Sequence, residues 1–226
     1  MVYVMIYDFH AHTFLSDGIL SPIELIRYAV VNGYAAVGVT DHAGLGSMAR
    51  IIAEVSRDCE LANKHWNITA IPGIELTHLP AVAVDEVACE AKRLGALIVV
   101  AHGETVTEPV EKGTNRAALC SKYVDILAHP GRLTAEEAAL AARAGVFIEL
   151  SGRRGHNVTN ADVAAVALEA GAKLLINSDA HSDEDLLNPD LLEKIVRDAG
   201  LTEMQAKQVL VENPKALLEK IGLKQA

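Results

Sequence analysis

Two short segments place metal-type donors two residues apart: His10-Ala11-His12 and Asp179-Ala180-His181. On an extended chain residues i and i+2 point to one face, so each segment can offer a pair of donors to one ion. Further donors follow short apolar runs singly: His42 after Thr40-Asp41, Glu75 after Gly73-Ile74, His102 after Val100-Ala101, and His129 after Leu127-Ala128. Imidazole suits zinc, manganese or iron better than magnesium or calcium. Water shared between such cations loses a proton near neutral pH and becomes a nucleophile, so the chemistry needs no Ser or Cys. One histidine at the end of an apolar run is ordinarily a hydrogen-bonded structural residue. Here the donors recur at the same end of successive runs, and of the nine histidines only His65, His78 and His156 lie elsewhere. That recurrence points to two or three divalent cations (Zn, Mn or Fe) and to hydrolysis.

Positioning such donors takes strands that all end on one face. Short apolar runs at residues 3–9, 35–40, 68–74, 97–101, 125–128, 146–150 and 174–177 alternate with Ala/Leu/Glu/Lys-rich stretches of helical pattern. Ser21-Pro22-Ile23-Glu24 and Thr134-Ala135-Glu136-Glu137 carry capping-box starts, and Gly33, Gly95, Gly145, Gly171 and Gly200 read as helix stops. Seven strand-plus-helix units imply a parallel sheet with right-handed crossovers, an α/β fold of TIM-like barrel type whose C-terminal strand ends converge. After Gly200 the pattern is helical only, so helices at about 201–223 pack on the barrel exterior or plug one end. No linker divides the chain, which reads as one domain, 1–226. The longest stretch without pattern, 103–115, is a candidate lid. Glu149, within the sixth run, reads as a structural barrel residue.

Composition narrows the class. The chain has 226 residues, 50% hydrophobic and 4% aromatic, so its core must be Ala, Val, Ile and Leu, as in sheets buried on both faces. A formal charge of −10 argues against a nucleic-acid partner, which needs a basic stripe. No apolar run is long enough for a membrane span. The three cysteines, Cys59, Cys89 and Cys120, are too far apart for a CxxC motif and read as buried small hydrophobes in a reducing, cytoplasmic setting.

The ordered series His10-Ala11-His12 with Ser16-Asp17-Gly18, Thr40-Asp41-His42, Gly73-Ile74-Glu75, His102, His129-Pro130 and Ser178-Asp179-Ala180-His181 resembles the polymerase-and-histidinol-phosphatase (PHP) family of metallophosphoesterases. The resemblance implies a distorted (β/α)7 barrel and a trinuclear centre. In it His10, His12, Glu75 and Asp179 hold one metal, Glu75 bridges to a second held by His102 and His129, and Asp17, His42 and His181 hold the third. Three anionic ligands against three divalent ions and a bridging hydroxide leave the pocket near +2, suited to a phosphate. The expected reaction is hydrolysis of a small phosphomonoester by metal-bound hydroxide, with histidinol phosphate the first substrate to test. Asp179 and Glu75 take part as ligands, and His181 or a nearby water protonates the leaving group. Arg132, Arg153 and Arg154, on loops at the same face, are candidates to grip the phosphate. Asp8 and Asp41 are candidates to orient histidines, and Glu104 and His156 to transfer protons. The competing readings are a nuclease or nucleotide phosphodiesterase of the same family and a non-enzymatic metal-binding regulatory domain. A barrel amidohydrolase bridged by a carboxylated Lys finds no strand-end Lys here.

Overall fold

The computed structural model describes residues 5–223. Eight parallel strands form one sheet: β1 (Ile6–Asp8), β2 (Tyr34–Val39), β3 (His42–Ala43), β4 (Thr69–Leu76), β5 (Ile98–His102), β6 (Ile126–Ala128), β7 (Phe147–Ser151) and β8 (Leu174–Asn177). Tyr3 and Val4 of the expected first strand lie outside the described residues. The order β1-β2-β4-β5-β6-β7-β8 follows the chain, and β3 also lies against β4. β3 extends the line of β2 past Thr40-Asp41 in unbroken register, because Val39 pairs with Pro72 and His42 with Glu75. The seven expected staves are therefore present, the second interrupted once.

The sheet curls until its edges nearly meet. Closure is made at the C-terminal ends by a parallel bridge between Ala11 and Ala180. His12 N donates to the Ala180 carbonyl at 2.8 Å, and Asp179 N to that of His10 at 2.9 Å. The segments that close the barrel are thus the two that carry paired donors.

Helices α1 (Pro22–Val31), α2 (Met48–His65), α3 (Val84–Arg93), α4 (Thr114–Cys120), α5 (Ala135–Ala144), α6 (Asn160–Glu169) and α7 (Pro189–Asp198) follow the strands. Both capping boxes form, Ser21 with Glu24 and Thr134 with Glu137. α5 stops where Gly145 turns left-handed at φ 67°, a conformation glycine adopts without steric cost. One apolar layer lies between strands and helices. A second fills the barrel interior with Phe9, Ile71, Ile98, Val100, Ile126 and Phe147. Beyond α7, α8 (Glu203–Lys207) leads through a π-helical turn, Gln208–Glu212, into α9 (Asn213–Lys220). Leu217 and Leu218 of α9 join the interior cluster, so this helix plugs the barrel rather than lying on its flank.

Period-two alternation explains how one strand builds both core and site. Ile98 and Val100 fill the interior and His102 continues their row. Ile71 leads to Glu75, Phe147 to Glu149, and Leu175 to Asn177 and Asp179. No helix among the described residues is long and apolar enough to cross a membrane. The cysteines are free: Cys59 is buried, but Cys120 is exposed and Cys89 partly so, which corrects the expectation that all three are core residues.

Candidate metal centre

The C-terminal ends of the strands bring the expected donors together. Glu149 accepts from Asn177 Nδ2 at 2.9 Å and from His10 Nδ1 at 2.8 Å. The proton of His10 is thereby fixed on Nδ1, and Nε2 carries a lone pair. That lone pair faces His12 Nε2 at 3.0 Å, Glu75 Oε1 at 3.4 Å and Asp179 Oδ1 at 3.9 Å. His12 Nε2 lies 3.2 Å from the same Asp179 oxygen. A lone pair buried among two carboxylates needs a cation between them. Tetrahedral zinc with bonds of 2.0–2.1 Å sets its ligand atoms about 3.3 Å apart, close to these separations. The donor set therefore fits a divalent ion. Without an ion, a proton takes that part. Burial opposes charge on His10, but Glu149, Glu75 and Asp179 outweigh burial and hold its pKa well above the ordinary value.

Two further groupings share these residues. Glu75, His102 and His129 converge, with His129 Nε2 at 3.4 Å from Glu75 Oε1. His12, Asp17, His42 and His181 form the other, with Asp17 Oδ1 at 3.1 Å from His181 Nε2 and 3.6 Å from His42 Nε2. The β3–β4 register sets His42 beside Glu75, and His42 Nδ1 meets Glu75 Oε2 at 2.6 Å. Buried atoms left without a hydrogen-bond partner include Glu75 Oε1, His12 Nδ1 and His129 Nδ1. Unpaired polar atoms are costly in a protein interior, and here they cluster in the ligand set.

Backbone conformation singles out the same place. Among the described residues, the non-glycine residues at positive φ are His78 (51°), His129 (27°) and Asp179 (55°). Such strain persists only where the surroundings impose it, and it gathers at functional sites.

The remaining candidates divide. Arg153 enters the cleft, its Nη1 donating to the Asp179 carbonyl at 3.3 Å and abutting His181 Nδ1. Arg132 and Arg154 are exposed and line no part of the cleft. His181, expected as a proton donor, lines the cleft, its Nε2 3.1 Å from Asp17 Oδ1 and its Nδ1 beside the Asp179 carbonyl and Arg153. Asp41 does not orient a histidine: it accepts from Thr13 N, Thr13 Oγ1 and Ser16 Oγ, each at 2.7 Å, and so holds the turn that presents Asp17. Asp8 likewise bonds backbone, at His10 N and Ser178 N, along the closing seam. Burial pushes its pKa up to about 6. Glu104 binds the amides of Gly113 and Asn115 and stays out of the cleft, whereas His156 lines it.

Sequence reasoning missed three residues. Glu149 orients His10, and the signal was a carboxylate inside a wholly buried apolar strand, which needs a partner. Glu108 and His78 meet His102, with Glu108 Oε2 at 3.0 Å from His102 Nε2 and 3.4 Å from His78 Nε2. With Glu108 in place the cleft encloses only about 30 Å³, whereas a cavity of about 460 Å³ lies at the opposite end of the barrel, between Tyr34, Trp66, Ile68 and Leu218. That larger cavity is lined by none of the clustered donors.

No family model matches the sequence. An uncharacterized protein of Methanocaldococcus jannaschii is 45% identical over 218 residues, spanning 96% of this chain and 100% of that one. A probable phosphatase of Thermoanaerobacter sp. (strain X514) is 28% identical over 217 residues, 88% of each chain. The DNA polymerase/3′-5′ exonuclease PolX of Bacillus subtilis is 27% identical over 197 residues, 79% of this chain and 35% of that one. Among solved structures, a chain of archaeal ribonuclease P with mature tRNA superimposes with a TM-score of 0.69 at 18% identity, over 95% of this chain and 90% of that one. Histidinol phosphate phosphatase of Lactococcus lactis, complexed with zinc, L-histidinol and phosphate, gives 0.55 at 13% identity, over 97% and 94%. At such identities the structural likeness is one of fold.

Proposed function

This chain belongs to the PHP family and is a metal-dependent hydrolase of phosphoesters, and from that premise we propose that it cleaves a small phosphomonoester at a centre of three divalent cations. His10, His12, Glu75 and Asp179 would hold the first. Glu75 would bridge to the second, with His102 and His129, and Asp17, His42 and His181 would hold the third. The observation that carries this reading is the His10 lone pair, fixed by Glu149 and aimed at two buried carboxylates.

Cations bound there supply Lewis acidity to a phosphate oxygen and to the attacking water. The chain's own residues do the rest. Glu149 and Asn177 keep His10 in one tautomer and one orientation. Asp41 fixes the turn that carries Asp17. Arg153, beside Asp179 and His181, would donate to a phosphate oxygen. Water adds to phosphorus, the ester P–O bond breaks, and the alkoxide departs with a proton. His181, which lines the cleft, or a nearby water would supply that proton. Free thiols, one of them exposed, suit the reducing cytoplasm.

The test is phosphate release by the purified chain, loaded with manganese or zinc, from a panel of phosphomonoesters that includes histidinol phosphate. A single-stranded oligonucleotide is assayed alongside. Release from a monoester, abolished by His10→Ala together with loss of bound metal, is the expected result. Cleavage of the oligonucleotide alone overturns the substrate class, and an inert, metal-loaded chain overturns the reaction.

A further inference from the structure

The nine donors assigned above leave one arrangement unexplained, on the loop of residues 103–113. Its base is clamped. Glu104 Oε1 accepts from Gly113 N and Asn115 N at 2.9 and 3.1 Å, and Asn115 answers through Oδ1 to Glu104 N at 2.9 Å and Nδ2 to the Pro130 carbonyl at 2.8 Å. Gly131 passes so close that a Cβ there would lie 2.0 Å from the Glu104 carbonyl oxygen. At the tip Val106, Thr107 and Pro109 are exposed, but Glu108 reaches the imidazoles.

His102 Nδ1 donates to the Gly103 carbonyl at 3.2 Å. A carbonyl cannot donate, so Nδ1 holds the proton and Nε2 the lone pair. That lone pair points at a carboxylate oxygen of Glu108, 3.0 Å away, and His78 Nε2 stands 3.4 Å from the same oxygen. Two acceptors face each other, as they do around His10. The separations again bracket the edge of about 3.3 Å expected around a tetrahedral zinc. His78 takes part from a left-handed backbone, φ 51°, as the expected ligands His129 and Asp179 do.

We propose that Glu108 is a lid-borne ligand of the cation that His102 holds, with His78 beside it, so that cation binding draws loop 103–113 down over the site. The proposal rests on the metal-centre reading above. It also gives the loop a reason to move. Glu108 lines a cleft of about 30 Å³, room for about one water, so a phosphoester reaching the cations takes space that Glu108 now fills. Glu108 and an incoming phosphate are anions aimed at one place, and one leaves as the other arrives.

Manganese binding, followed by chelator competition, and amide hydrogen exchange of residues 105–111 with and without manganese form the test. In the wild-type chain manganese slows exchange of the loop. In Glu108→Gln that protection disappears and the affinity for one cation falls about 10- to 100-fold, the range seen when groups supporting a metal site are removed. His78→Gln gives a smaller drop of the same kind. Glu111→Gln, an exposed carboxylate of the same loop, leaves both readouts unchanged. Unaltered affinity and unaltered protection in Glu108→Gln overturn the proposal alone, as does an equal effect of Glu111→Gln. A wild-type chain that takes up no cation overturns this proposal together with the metal-centre reading.

Discussion

At the scale of single residues, the donor cluster depends on side chains buried behind it. Glu149 lies at 1% exposure with one oxygen occupied by His10 and Asn177. Its effect on chemistry runs through the direction of the His10 lone pair. Glu149→Gln keeps the volume and weakens the acceptor, so metal affinity should fall about 10- to 100-fold while the far-ultraviolet circular dichroism stays that of the wild type. Metal content measured at limiting free manganese decides it, and undiminished content refutes the orienting role. The arginines make a sharper contrast. Arg153 sits beside Asp179 and His181, whereas Arg132 and Arg154 are exposed and outside the cleft. A hydrogen bond from a charged donor contributes about 1.5–3 kcal/mol. Arg153→Ala should therefore lower kcat/KM by roughly 10- to 150-fold without loss of metal, while Arg132→Ala and Arg154→Ala stay within about twofold. Steady-state kinetics on one monoester separates the three, and equal losses would refute the proposed role of Arg153 at a phosphate.

Elements carry those residues to their positions, and here the pattern is one of rows. In β5, Ile98 and Val100 are core and His102 is site; in β8 the row runs from Leu175 through Asn177 to Asp179. Loosening the lower end of a row should cost stability and leave the chemistry at the top. Leu217 of α9 is fully buried in the barrel interior, so Leu217→Ala should destabilise by about 2–5 kcal/mol with metal stoichiometry unchanged. Urea denaturation and metal analysis of one preparation test both halves, and loss of metal at native stability would contradict the separation. Much of this was legible beforehand. Strand ends showed as apolar runs stopped by His, Asp or Glu, and helix starts as the capping boxes at Ser21 and Thr134, because both signals are local. The role of α9 was not legible, since its apolar residues suit a flank or a plug and only the open end of the barrel decides. Nor was the reach of Glu108. It stands between Thr107 and Pro109 in a loop without periodicity, and its direction is set by a clamp that joins Glu104 to Asn115 and Pro130. Glu149 was visible but misread, because its partner His10 is 139 residues away.

For the molecule as a whole, the centre is also where the barrel closes. The bridge between Ala11 and Ala180 lies between His10 and His12 on one side and Asp179 and His181 on the other. Nothing else ladders β1 to β8 among the described residues. Without ions the carboxylates of Glu75, Asp179 and Glu149 gather around His10 beside this seam, all buried. Burial, although opposed by His10, pushes the Asp179 carboxyl well above its ordinary value, with help from Glu75 and Glu149. Divalent cations would offset that repulsion and tie both edges of the sheet to common ions. Binding to the folded chain alone adds about 4.1 kcal/mol for one site at a thousandfold excess over Kd. In a chain of this size each kcal/mol moves the melting temperature by about 2–4 °C. Manganese at that excess should therefore raise Tm by roughly 8–16 °C per site over the chelator-treated chain. The gain should be localised as well as global. The amides of His12 and Asp179, which close the seam, should exchange faster after chelation, while those of β5 and β6, paired on both sides, should keep their protection short of global unfolding. Equal melting temperatures with and without manganese would mean that the ions do not staple the barrel. A rise in Tm without protection at His12 and Asp179 would place their stabilisation away from the seam.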